Sequence, residues 1–279
     1  MTEGQAGRYA EPGYGEGGGR LQTTPRSVHR WPGDGPDQDL LAREEPLEIR
    51  VEGRSVAVTM RTPGHDRELA AGFLFTEGVV DGADDLVALA HLAGDRDGNT
   101  IDVRLAGGVA AHREALDHAT RELYATSSCG ICGKASIDRI RVLAPAVSPP
   151  PELDPAMLVT LPALLRAAQV GFAATGGLHG AALVGFDGRL EVVREDVGRH
   201  NAVDKVLGWR LLADRVPVDD RILLVSSRAG FEIVQKARVA GVTTVVCLGA
   251  ATSLAVDLAR DGGQCLVGWL RADRFARYC

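Results

Sequence analysis

The sequence predicts an α/β protein in which a β-rich N-terminal α+β region precedes an α/β domain. Three observations carry this. Apolar residues alternate strictly between positions 47 and 60, apolar strand-like runs take turns with helix-like runs from 222 to 269, and five prolines fall between 145 and 155. The proline-rich stretch is the natural joint, so the expected divisions are a leader over 1–40, an α+β region over 41–145 and an α/β domain over 146–279.

The elements follow in order. Residues 1–40 are rich in Gly, Pro and charge, as in Gly13-Tyr14-Gly15-Glu16-Gly17-Gly18-Gly19, and carry too little apolar surface to offset the entropy of ordering. They are expected to be disordered. Leu47, Ile49 and Val51 then share one face of a strand, Glu52-Gly53-Arg54 turns, and Val56, Val58 and Met60 share a face of the next. Thr62-Pro63-Gly64 ends that hairpin. A short apolar helix is expected over 66–75, a strand through Ile101, Val103 and Leu105, and a helix over 111–123. Another helix over 134–143 must stop before Pro145.

In the second half a helix over 157–170 is broken near Pro162. Strands over 181–186 and 190–193 are joined by Asp187-Gly188, a strong hairpin turn. After a helix over 202–212, strands at 222–225, 243–248 and 264–269 alternate with helices at 231–240 and 254–260. That alternation implies parallel strands with right-handed crossovers.

Composition narrows the function. A net charge of −6 offers no global attraction to nucleic acid or acidic lipid, so any anion site must be local. No apolar run approaches the ~18 residues of a membrane span, and the N-terminus lacks the apolar core of a signal peptide. Five cysteines with one close pair do not make a secreted disulfide framework. A cytoplasmic protein with reduced thiols is expected, with no nucleic-acid or membrane partner.

The most informative stretch is Ser127-Ser128-Cys129-Gly130-Ile131-Cys132-Gly133-Lys134. Its spacing lets both sulfurs face one small volume, and the glycines allow close approach by another molecule. An ordinary cysteine is only roughly 3% thiolate at pH 7. A following helix start and Lys134 both favour the thiolate. Such a pair can bind metal, cycle to a disulfide or carry sulfur. Structural zinc needs two further ligands, and Cys247, Cys265 and Cys279 form no second close pair. Cys247 and Cys265 sit in apolar strands and are expected in the core. A zinc deaminase would use His-x-Glu before Pro-Cys-x-x-Cys. His112-Arg113-Glu114 precedes the pair here, but Ser128 replaces the proline and His112 lies in what reads as a surface helix.

Other stretches suit anions. Arg194-Glu195-Asp196-Val197-Gly198-Arg199-His200-Asn201-Ala202-Val203-Asp204-Lys205 is dense in charge and runs into a helix start, where free N–H groups face outward. Ser226-Ser227-Arg228 and Gly249-Ala250-Ala251-Thr252-Ser253 follow parallel strands, where open α/β sheets place ligands. Thr175-Gly176-Gly177-Leu178-His179-Gly180 is a further glycine-rich turn. Four such turns suggest an extended ligand bearing several phosphates.

Together these stretches resemble the formate dehydrogenase accessory sulfurtransferase family. The resemblance also includes Thr62-Pro63-Gly64, Gly72-Phe73-Leu74-Phe75-Thr76-Glu77-Gly78, and the segments 226–236 and 252–271. It covers nearly everything from 44 to 274. It implies a homodimer whose second half is a three-layer α/β domain similar to cytidine deaminase, without the zinc machinery. It further implies a sulfurtransferase in which a cysteine desulfurase passes a persulfide to Cys129 and Cys132. The sulfur then goes to the bis(molybdopterin guanine dinucleotide) molybdenum cofactor of formate dehydrogenase, which a guanine nucleotide can mimic. The cofactor residues implied are His179, Asp196, Arg199, His200, Asn201, Lys205, Ser226, Ser227 and Arg228, with Trp269, Leu270, Arg271, Ala272, Asp273 and Arg274 near the C-terminus. Family members commonly continue past the position of Tyr278, and Trp269 stands where a phenylalanine is usual. A cofactor chaperone without transfer chemistry is the alternative of another class.

Overall fold

A computed structural model describes residues 22–33, 35–95, 97–126, 144 and 146–279. The thiol pair Cys129 and Cys132, the helix expected over 134–143 and the first 21 residues lie outside the described residues.

The alternating residues form strands β3 (Glu45–Val51) and β4 (Arg54–Arg61), joined by Glu52 and Gly53, both at positive φ. With β5 (Leu86–His91) and β6 (Thr100–Leu105) they make a four-stranded sheet in the order β4-β3-β6-β5, and helices α2 (Gly108–Ala111) and α3 (Arg113–Thr126) follow β6. The buried faces differ from the expected pattern at one point. The ladder pairs Ile49 with Ala57 but Arg50 with Ser55, leaving Val56 as the extra residue of a bulge. Val56 and Ala57 are both buried, and the alternation is reversed beyond them, so Val58 and Met60 face solvent.

A second correction concerns the leader. Residues expected to be disordered up to 40 include β1 (Thr23–His29), which pairs along its whole length with β2 (Pro36–Ala42). Composition missed this hairpin because cross-strand pairing and surface ion pairs, not a buried face, order it. Arg30 meets Asp37 at 2.8 Å and Asp39 at 2.9 Å.

The α/β half is a six-stranded sheet in the order β12-β11-β10-β9-β7-β8. Strands β9 (Arg221–Val225), β10 (Thr244–Cys247) and β11 (Cys265–Gly268) are parallel, as the alternation required. The hairpin of β7 (His179–Gly185) and β8 (Leu190–Asp196) lies antiparallel beside β9. The short strand β12 (Ala276–Arg277) closes the other edge.

Helices cover both faces of this sheet. Leu158 of α4 (Pro155–Leu158) and Leu161 and Leu165 of α5 (Leu161–Ala168) pack on Ala182, Ile222, Val246 and Val267. Pro162 falls in the first turn of α5, where its missing N–H costs nothing, and α6 (Val170–Thr175) follows. On the other face α7 (Arg199–Leu212), α8 (Phe231–Val239) and α9 (Ser253–Gly262) bury Val203, Ile233 and Leu258 against Leu183, Leu223 and Val245.

One core joins the halves. Leu47, Ile49 and Ile101 of the four-stranded sheet belong to the same cluster as α7, by way of α1 (Asp66–Thr76). α1 and α7 make the most extensive contact between any two elements that are not paired strands. They meet at facing glycines. A Cβ at Gly72 would overlap the Asp204 carbonyl oxygen, and one at Gly208 would overlap that of Glu68. Among the described residues no helix is long and apolar enough to cross a membrane.

Candidate functional site

The topology gathers the candidate residues along one rim, the carboxyl edge of the parallel strands. β7 begins there and β8 ends there, with His179 paired to Asp196 in the ladder. Ser226, just past β9, accepts a hydrogen bond from the Gly180 amide at 2.9 Å and returns its own amide to the Gly180 carbonyl. Ser227 is buried, its hydroxyl donating to the Arg228 carbonyl, and Arg228 is exposed. Gly249, after β10, lies so close to Arg228 and Ser227 that a Cβ would sit 2.9 Å from their backbone. The Gly249 carbonyl in turn accepts the Trp269 amide at 2.7 Å. The turns after β9, β10 and β11 are thus one continuous surface.

At the α7 start, His200 Nε2 lies 2.7 Å from Glu232 Oε2 on the first turn of α8. That hydrogen bond, with burial working against it, holds the Glu232 carboxyl below the ordinary glutamate range. Glu232 lies inside a stretch already singled out but escaped the sequence reading, because a first-turn glutamate reads as a plain helix-dipole partner. The His179 pKa is lowered as well: burial first, then the nearby Arg199 guanidinium, disfavours its charged form. The side chains of Arg199 and Arg228 make no hydrogen bond or ion pair among the described residues. Their charge is available to a ligand.

At the far end of the rim a cavity of about 300 Å³ is lined by Trp269, Arg271, Arg274, Phe275 and Ala276. Trp269 has φ of 52°, a left-handed conformation that is costly for a bulky residue, and its indole is 52% exposed. The Arg271 guanidinium lies 5.6 Å from the indole centroid and is anchored by the Leu248 and Leu270 carbonyls. Arg274 pairs with exposed Asp273 at 3.0 Å, and Ala272 is exposed between them.

Four expected ligand residues belong elsewhere. Leu270 is fully buried in the core beneath the rim. Lys205 and Asp196 are each fully buried and meet at 2.6 Å. The Lys205 ammonium also donates to the Thr62 and Glu195 carbonyls, at 2.9 and 3.3 Å. Asn201 donates to Asp196 and to the Met60 carbonyl and accepts from the Thr59 hydroxyl. Their polar side-chain atoms are taken up by bonds within the protein. Burial of an ion pair requires this degree of satisfaction. A second buried network, Lys236 with Asp204 at 3.0 Å and Glu77 at 3.1 Å, ties α8 to α7 and α1. Burial opposes the Lys236 charge, but the two carboxylates outweigh it and raise its pKa.

His112 also differs from the solvated helical residue expected. Its ring nitrogens lie 2.9 Å from the Val79 carbonyl and 3.0 Å from that of Ala106. Among the described residues no three His, Cys, Asp or Glu side chains are grouped to hold a metal. Cys247 and Cys265 are in the core as expected, and burial pushes the Cys247 thiol up to about 11. Burial likewise raises Cys265 and Cys279.

Sheet and rim define an α/β protein that carries arginines and a tryptophan-ended cavity along the carboxyl ends of its strands. The chain belongs to the FdhD/NarQ family, whose model matches residues 42–279. It is 51% identical over 241 residues to the sulfur carrier protein FdhD of Streptomyces avermitilis, covering 84% of each chain. The protein of that name from Mycobacterium tuberculosis is 47% identical over 253 residues, 86% of this chain and 90% of the relative. A crystal structure described as a formate dehydrogenase accessory protein, from Desulfotalea psychrophila, superposes with a TM-score of 0.69. It covers 92% of this chain and 96% of that one at 24% identity, and so bears on the fold alone.

Proposed function

We propose that this protein is a cytoplasmic sulfur carrier for formate dehydrogenase. In this reading it accepts sulfur from a cysteine desulfurase on Cys129 and passes it to the bis(molybdopterin guanine dinucleotide) molybdenum cofactor. The Cys129 thiolate attacks the outer sulfur of the donor persulfide, a new S–S bond forms, and the donor cysteine leaves as thiolate and takes up the proton. Release as sulfide needs two electrons. Cys132 supplies them by attacking the inner sulfur, which expels HS⁻ and leaves a Cys129–Cys132 disulfide. The observation that carries the reading is about half identity to proteins named sulfur carriers, on a chain that holds the thiol pair.

The rim suits such an acceptor. The Trp269 indole is a stacking face for a guanine, and the guanidinium groups of Arg199, Arg228 and Arg271 can meet phosphates. The same reading includes a homodimer and a second half layered like cytidine deaminase. To test it, the protein is incubated with a cysteine desulfurase and cysteine and weighed intact. A gain of one sulfur atom, lost in Cys129→Ala, is expected. A wild-type protein that gains no sulfur but binds the cofactor is a chaperone, and the transfer assignment fails.

A further inference from the structure

The buried charges beside the rim raise a question, because a buried ion pair is seldom worth its desolvation on stability grounds alone. The Asp196–Lys205 pair sits directly under the turn that presents Arg199 and His200. The end of β4 grips that turn from the other half of the chain. The Thr62 amide donates to Asp196 Oδ2 at 3.1 Å, its carbonyl accepts from Lys205 Nζ at 2.9 Å, and its hydroxyl accepts from the Val197 amide at 3.1 Å. Two residues earlier, the Met60 carbonyl accepts from Asn201 at 2.8 Å, and the neighbouring Thr59 hydroxyl donates to Asn201 at 3.2 Å. The remaining Asp196 oxygen caps the Gly198 amide at 2.8 Å. Every polar group from Thr59 to Thr62 that reaches this turn is therefore bonded to it. The contacts span more than 130 positions of sequence.

We infer that Thr62 is a positioning residue: through Val197 and the Asp196–Lys205 pair it fixes the turn that aims Arg199 and His200 at an anionic ligand. The α+β half thereby sets the geometry of a rim built on the other half. The inference rests on the rim reading given above, which supplies the ligand. Thr62 itself is fully buried, so it acts through the turn. Its three bonds differ in kind. Two use its backbone and survive substitution, and only the hydroxyl bond to Val197 is carried by the side chain. Thr62→Val keeps the shape and leaves the partly buried Val197 amide without this partner, whereas Thr62→Ser keeps the hydroxyl.

The full-length protein and both variants are compared by amide hydrogen exchange and by titration with GDP as the anionic probe. Thr62→Val is expected to speed exchange at residues 197–201 without changing β9 to β11, and to weaken GDP binding about tenfold (~1.4 kcal/mol). Thr62→Ser is expected to restore both. Unchanged exchange at 197–201 overturns the inference. So does faster exchange spread through the whole sheet, which marks a general loss of stability. GDP binding that is unaffected while the turn loosens also overturns it. If wild-type protein fails to bind GDP, the rim reading falls, and the exchange data still decide whether Thr62 fixes the turn.

Discussion

The turn from Glu195 to Lys205 and the tail from Trp269 to Arg274 look alike as sequence: both are short, charged and beside a strand end. In the fold they are opposites. In the turn, Asp196 and Lys205 neutralise each other out of contact with water, while Arg199 and His200 stay partly exposed and His200 pairs with Glu232. In the tail only Leu270 is buried, while Trp269 and Arg271 stand in the open around a cavity. The difference teaches that charge density marks a region, whereas desolvation decides which charges are spent on the protein and which are left for a ligand.

The largest test of that contrast is Lys205→Met. It leaves Asp196 buried without its counter-charge and should destabilise the protein by about 3–5 kcal/mol in chemical denaturation. Arg271→Ala should change stability by less than about 0.5 kcal/mol. Equal losses for the two would erase the distinction. Next in size is Gly208→Ala, which pushes a methyl into the Glu68 carbonyl and forces α1 and α7 apart. A loss of about 1–3 kcal/mol is expected, read in the same denaturation series.

Trp269→Gly sharpens the comparison from the tail. Relief of the left-handed strain and the added chain entropy of glycine offset each other, so stability should stay within about 1 kcal/mol. GDP affinity should nevertheless fall by an amount worth about 1–3 kcal/mol, the range of base stacking. A loss of stability with affinity kept would show the indole to be structural. The smallest expected effect is a pH dependence. Glu232 has a depressed folded pKa, so its contribution is complete above the ordinary value of 4.5 and is lost as pH falls below it. Glu232→Gln should flatten that acid limb of the stability curve, and an unchanged limb would count against the His200–Glu232 tie.

Much of the framework was legible because it rests on local periodicity. Leu47, Ile49 and Val51 announce a half-buried strand, and the apolar runs at 222–225 and 243–248 announce parallel ones. The failures have physical causes as well. One bulge at Val56 turned Val58 and Met60 outward, and a single unpaired residue of that kind leaves no trace in composition. The hairpin of β1 and β2 is ordered by cross-strand pairs that no single-strand pattern contains. The placement of His179, Arg199, His200, Ser226 and Arg228 at strand ends was legible because turns after strands are local features. Glu232 was missed because its partner, His200, is remote in sequence.

The sequence by itself determined the strands through Leu47, Ile101 and the parallel run from 222 to 269 with the helices between them, where the thiol pair lies in the chain, and that anion-suited turns follow the parallel strands. Only the tertiary structure decided that Asp196, Asn201 and Lys205 serve the protein's own interior, and that a threonine from the opposite half holds the turn above them. The physical reason is range. Helix and strand periodicity act over a few residues, whereas burial and the pairing of charges depend on segments brought together across the whole chain.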